Sequence, residues 1–221
     1  MGENIRTKIA KRAAQEIQPG MIVNLGIGIP SLVPDYVACK ELVFFQAENG
    51  ILGMGDTPAP GEEDAHLCNA GGFPVTLRKG GCYFDSATAF AMIRQGKMDM
   101  AILGALQVSQ QGDLANWMVP GKKVPGMGGA MELAAKAKKV IVTMNQCDQK
   151  GQSKIVSCCS LPLTAPTCVS MIITDMAVFT IENQTLTLSE IFAPYRLQDI
   201  KDATAASFAI APDCKIRTEG G

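Results

Sequence analysis

The sequence predicts an α/β domain spanning residues 1–221, built on an open, mainly parallel sheet flanked by helices. Short β-branched, apolar runs alternate with segments of helical periodicity along most of the chain. Glycine-containing turns follow the strands, as they do where strands feed crossover connections. With 221 residues, 47% hydrophobic and 19% charged, the chain can bury one sizeable core, and no linker or internal repeat interrupts it.

The elements follow in order. Asn4 to Gln18 places Ile5, Ile9, Ala13 and Ile17 on one helix face, and Pro19-Gly20 ends it. Met21–Leu25 reads as a strand, Gly26–Ser31 as a glycine turn and Leu32–Cys39 as a second helix. Leu42–Gln46 is a second strand delivering Ala47-Glu48-Asn49-Gly50 at its carboxyl end. Residues 50–81, rich in Gly, Pro and small polar residues, read as a long surface excursion, with a possible strand over Cys82–Asp85. Ser86–Gln95 is a helix capped by Asp85 or Ser86, and Met100–Val108 a buried strand. Met131–Lys138 is a helix, Lys139–Met144 a strand and Cys168–Thr174 a later apolar segment. Val178–Ile181 and Thr185–Leu188 form a hairpin around Glu182-Asn183-Gln184.

Composition excludes several classes. A formal net charge of -1 offers nothing to a phosphate backbone or an anionic membrane. No apolar run approaches the roughly 20 residues that span a bilayer, and the N-terminus lacks an export signal core, so a cytoplasmic protein is expected. The eight cysteines include no C-x-x-C pair and no histidine cluster beside them, which fits reduced thiols and no metal site.

Two motifs stand at adjacent strand ends, where open α/β sheets bind ligands: Gly26-x-Gly28 and Glu48-Asn49-Gly50. Gly26-x-Gly28 alone is either a tight turn or half of a dinucleotide fingerprint, with Glu48, 20 residues beyond Gly28, as the ribose-binding acid. Ser31 occupies the third glycine position of that fingerprint, and a ribose contact leaves Asn49–Gly55 unexplained. A third motif, Asn116 to Met131, is a glycine loop running into a helix, whose backbone N–H groups are suited to an oxyanion or phosphate.

Asn24-Leu25-Gly26-Ile27-Gly28-Ile29-Pro30, Glu48-Asn49-Gly50, Leu114-Ala115-Asn116-Trp117, Gly126-Met127-Gly128-Gly129-Ala130-Met131 and Leu161-Pro162-Leu163-Thr164-Ala165 together resemble the β subunit of 3-oxoacid CoA-transferases. The resemblance spans nearly the whole chain and implies the CoA-transferase fold. It implies Glu48 as nucleophile, attacking an acyl-CoA thioester and passing through a glutamyl-CoA thioester in a ping-pong reaction. Asn24 matches a family active-site position, while its purely structural role would be capping the turn after the strand. The Gly128 and Gly129 backbone is the candidate oxyanion site. Gly26, Ile27, Gly28, Asn49, Gly50 and Gly126 are the candidate CoA-binding positions. CoA serves as substrate and covalent intermediate, and no tightly bound cofactor is expected. An α subunit is the implied partner, in an α2β2 heterotetramer with the CoA site at or near the α–β contact.

For this chemistry Glu48 must be positioned and desolvated, since an ordinary carboxylate in water is a poor nucleophile. The sequence departs from the family at Ala47, where serine is usual, and at Asn145-Gln146, where relatives commonly have Glu-His. His66 is the only histidine and lies in an acidic loop, better suited to solvent or a substrate edge than to catalysis. Trp117 packs a turn or an interface; Lys122 and Lys123 are either solvated or face the CoA phosphates. The alternatives to CoA transfer are a non-covalent nucleotide-binding module and an acyl-CoA hydrolase.

Overall fold

Asn4 starts helix α1 (Ile5–Ala14) by accepting a hydrogen bond from Arg6 N–H at 3.0 Å. The computed structural model describes residues 4–121, 124 and 126–217. Ile9, Ala13 and Ile17 are buried as their spacing predicts, but Ile5 is exposed and the helix ends four residues before Gln18.

The main sheet begins with β1 (Ile22–Leu25), β2 (Phe44–Ala47), β3 (Ile51–Met54) and β4 (Leu77–Tyr83). It continues with β5 (Met100–Gly104). Two short strands, β6 (Gln107–Ser109) and β7 (Leu114–Ala115), leave it before it resumes at β8 (Lys139–Thr143). After β9 (Ile155–Val156), it is completed by β10 (Met171–Ile173), β11 (Ala177–Glu182), β12 (Thr185–Phe192) and β13 (Ala209–Arg217). The spatial order is β13-β12-β11-β10-β8-β5-β1-β2-β3-β4, while β7-β6-β9 form a separate small sheet. The central run β10-β8-β5-β1-β2 is parallel, as expected; β2-β3-β4 on one flank and β10-β11-β12 on the other pair antiparallel, and the edge strand β13 runs parallel to β12.

Successive residues on these strands enter opposite faces. Ala101, Leu103, Val140 and Val142 pack with Leu133 and Ile200, under α3 (Ala130–Lys136) and α4 (Leu197–Asp202). Met100, Ile102, Ile141 and Ile173 pack with Ile9 and Ala13 of α1. Burying each of these large aliphatic side chains is worth about 1.5–3 kcal/mol. Helix α2 (Ser86–Arg94) crosses between β4 and β5, capped by Asp85, whose side chain accepts from Thr88 N–H at 2.7 Å.

Three expectations change. Leu32–Cys39 is not an α-helix: Pro30–Tyr36 forms a 3-10 turn, with Pro34 unable to supply an N–H for a longer ladder. Residues 50–81 are not wholly a loop, because β3 and the start of β4 lie within them. The strand expected over Met100–Val108 breaks after Gly104, and Gln107–Ser109 joins the small sheet.

Candidate active site

The carboxyl ends of β1 and β2 lie side by side. These strands pair in parallel with Asn24 opposite Gln46, so the two glycine-bearing motifs meet at one sheet edge, as expected of an open α/β crevice. β2 ends in the tight turn Ala47–Gly50, closed by Gly50 N–H donating to Ala47 O at 3.0 Å. This turn carries Glu48 and reverses the chain into β3. Gly50 is obligatory here: its φ is 118°, and a side-chain Cβ would come within 2.0 Å of the Phe84 carbonyl oxygen.

Glu48 is half-buried. It is less enclosed than the desolvated nucleophile expected from the sequence, with one face toward protein and the rest open. Its Oε2 accepts from Asn24 Nδ2 at 3.2 Å. That amide also donates to Gln46 Oε1 at 2.6 Å and approaches the Gln46 backbone carbonyl at 3.1 Å. Asn24 and Gln46 are each only 1% exposed. Of the two roles open to Asn24, the contact made is with the nucleophile candidate.

Gly129 covers the other side of the carboxylate. A Cβ built on it would lie 3.4 Å from both Oε1 and Cγ of Glu48. The absence of a side chain therefore leaves this side of the carboxylate uncovered by one. Gly128, with φ of 55°, is exposed one residue earlier, and Gly126, with φ of 106°, is exposed as well.

The other candidates separate. Gly26 closes β1, donating to Ile102 O at 2.8 Å, and Gly28 has φ of 96° in the turn that follows. Gly26, Ile27, Gln46 and Ala47 line a cleft together with Met54, Gly55 and Phe73. Ile27 and Phe73 stand exposed at its rim, 67% and 58%, with Gly71 between them. Among the described residues, the ionisable side chains on its lining are Asp35 and Asp56. Asn49 turns away, donating to Cys68 O at 2.7 Å, and so braces the loop beyond rather than facing Glu48.

Trp117 packs a turn, its indole N–H donating to Leu163 O at 3.2 Å. Asn116 locks the same loop: its Oδ1 accepts from Thr164 Oγ1 at 2.7 Å and its Nδ2 donates to Gly104 O at 3.1 Å. Gln146 is buried beside α4, donating to Thr204 Oγ1 at 2.8 Å, three strand positions from β2. His66 is exposed. Lys122 and Lys123 lie outside the described residues. Among those residues no cluster of His, Cys, Asp or Glu is arranged to hold a metal ion, and no helix is long and apolar enough to cross a membrane.

Sequence reasoning missed Gln46. The available signal was a polar residue two positions before Glu48 in an otherwise apolar strand.

Comparison with known proteins bears on the whole chain. The family model described as coenzyme A transferase matches residues 6–203. A Bacillus subtilis protein, named as the beta subunit of a probable coenzyme A transferase, is 59% identical over 210 residues, covering 95% of this chain and 97% of that protein. A Mus musculus mitochondrial succinyl-CoA:3-ketoacid coenzyme A transferase (2B) is 52% identical over 212 residues, 95% of this chain but only 41% of its own length. The crystal structure of an acyl-CoA transferase from E. coli O157:H7, in a thioester complex with CoA, superposes with a TM-score of 0.78 at 23% identity. The match covers 98% of this chain and 43% of that one, and shows a shared fold. The nucleotide-binding alternative is set aside: the chain belongs to the coenzyme A transferase family.

Proposed function

We propose that this chain is the glutamate-bearing half of a two-subunit enzyme that moves CoA between a short-chain acyl-CoA and a free carboxylic acid. The observation that carries the proposal is the placement of Glu48 between the Asn24 amide at 3.2 Å and the side-chain-free face of Gly129. In the first step the Glu48 carboxylate attacks the thioester carbonyl, the C–S bond breaks, and CoA leaves as thiolate, giving a mixed anhydride. The thiolate then attacks the glutamyl carbonyl and expels the donor's carboxylate, leaving CoA on Glu48 as a thioester. An acceptor carboxylate reverses both steps, with no net proton taken up or released.

Each addition puts negative charge on an oxygen. Fixed donors aimed at that position lower the barrier by about 3 kcal/mol each in comparable acyl-transfer sites. Asn24 Nδ2–H and Gly129 N–H are the donors assigned here. Gly26, Ile27 and Gly28, with Asn49, Gly50 and Gly126 around them, are assigned to the passage that receives CoA. Asn49 acts there through the loop it braces.

The acceptor is a 3-oxo acid such as acetoacetate, with succinyl-CoA as donor, a reading supported by the names of the relatives. Bacterial relatives named as single subunits of such enzymes support a separate α partner, in an α2β2 assembly with the CoA site near the contact. CoA is substrate and covalent intermediate. Hydrolysis is the competing outcome, and it differs only in water replacing the acceptor acid.

Initial rates of the assembled complex at several fixed concentrations of succinyl-CoA and acetoacetate test this reading. Parallel double-reciprocal lines, with free CoA released far more slowly than it is transferred, are expected. Intersecting lines, or release of CoA to water at the transfer rate, would overturn it.

A further inference from the structure

We propose that Gln46 is a positioning residue for the transfer reaction, acting through Asn24 to fix which N–H of that amide faces Glu48. The inference rests on the glutamyl-CoA reading above. Gln46 lies in β2 and Glu48 in the turn directly after it, and the Asn24 amide reaches both side chains. Asn24 lies directly opposite Gln46 on β1.

The Asn24 amide has two hydrogens and three acceptors in reach: Gln46 Oε1 at 2.6 Å, Gln46 O at 3.1 Å and Glu48 Oε2 at 3.2 Å. The shortest bond fixes one hydrogen, and the planarity of the amide then fixes the direction of the other. Without Gln46 Oε1, both hydrogens would be free to settle on the strand carbonyl and elsewhere. With it, one is held toward the backbone carbonyl and the carboxylate.

The reciprocal half of this amide pair is unmade. Asn24 Oδ1 and Gln46 Nε2 are both buried without a partner among the described residues. Such orphans are costly, and natural interiors avoid them. A methionine or leucine at 46 would fill similar volume without leaving either the Nε2 orphan or the need for one, so packing does not account for glutamine here. What it supplies is an acceptor at 2.6 Å that holds a neighbouring donor in place before charge develops on the substrate oxygen.

A double-mutant cycle in the assembled complex tests this. Gln46→Met is expected to lower kcat about 10- to 100-fold while both KM values stay within about three-fold, the pattern of an interaction made only in the transition state. In an Asn24→Ala background the same change should lower kcat by less than about two-fold, because residues acting as one unit are non-additive. Equal losses in both backgrounds, a rise in KM with kcat unchanged, or no loss in the single variant would each overturn the proposal.

Gln46→Glu keeps the acceptor and gives a second test should the methionine variant not fold. It should retain more of kcat than Gln46→Ala, which removes the acceptor; equal losses in the two count against the proposal. A wild-type complex that transfers no CoA would refute the reading of the function itself. An active wild type indifferent to Gln46→Met refutes only the role of Gln46.

Discussion

Gly129 faces Glu48 so closely that a methyl group on its Cα would rest 3.4 Å from the carboxylate Oε1. Its φ of -80° is open to any residue, so the backbone does not require glycine there. Gly129→Ala should therefore fold with an unchanged melting temperature and lose about 10²-fold in kcat/KM, the size of effect seen when an oxyanion donor is displaced. Steady-state kinetics beside thermal unfolding check this. A variant that is unstable, or fully active, would show that Gly129 serves the chain and not the reaction.

Gly50 is the opposite case. Its φ of 118° forbids a side chain, and so does the Phe84 carbonyl oxygen, which would lie 2.0 Å from any Cβ at this position. Gly50→Ala should lower stability by at least about 3 kcal/mol, from backbone strain and displacement of β4 together. Gly61→Ala, at φ of 89° with nothing within 4 Å, should lose only about 1 kcal/mol. Urea unfolding of the two variants measures the difference.

A buried charge network ties the first helix to the far edge of the sheet. Glu190, 7% exposed, accepts from Arg12 Nε and Nη2 at 2.9 Å each and from Arg217 Nη2 at 3.1 Å. Burial alone would raise its pKa, but the bonds from Arg12 and Arg217 outweigh it and hold the carboxyl below the ordinary value of 4.5. A depressed carboxyl stabilises the fold above its unfolded pKa and loses that contribution as pH falls through the folded value. The urea midpoint should hold steady down to about pH 5 and fall below about 4.5. Glu190→Gln should lose about 1–3 kcal/mol at pH 7, because Arg12 keeps Glu16 at 2.7 Å but loses its bonds to the Glu190 carboxylate, and should show a shallower acid dependence.

The cysteines divide by burial. Burial, with a smaller contribution from Asp113, raises Cys159 to about 11; burial first of all raises Cys168 to about 12. Cys68, Cys82 and Cys158 are exposed. Iodoacetamide at pH 8 should label those three within minutes and leave Cys159 and Cys168 unmodified until the chain is unfolded, as peptide mapping would read out.

The parallel core was legible because β5, β8 and β10 are continuous apolar runs, and such runs have few other places to go. The nucleophile candidate was legible for a different reason: a lone glutamate reads as a solvated surface carboxylate, and it was the resemblance of Glu48-Asn49-Gly50 to the family motif that singled Glu48 out. The β3–β4 hairpin was hidden by the residues that make it possible. Gly53 and Gly81 let the strands approach until a Cβ on the first would lie 2.9 Å from the Cα of the second, and so many glycines read as loop. β6, β7 and β9 are two or three residues long, too short to show a period. β13 carries Pro212, Asp213, Lys215 and Arg217 on a mostly exposed edge, which masks it as polar coil. The Asn24–Gln46 contact depends on the register of two parallel strands, which neither strand's sequence states by itself.

Covalent capture tests the role of Glu48 most directly. The assembled complex is incubated with acyl-CoA alone, reduced with borohydride, and the modified peptide is mapped by mass spectrometry. A thioester on Glu48 reduces to the alcohol, so the expected result is one reduced residue at position 48 in the wild type and none in Glu48→Ala. Reduction at any other carboxylate, or transfer at an undiminished rate in Glu48→Ala, would contradict it.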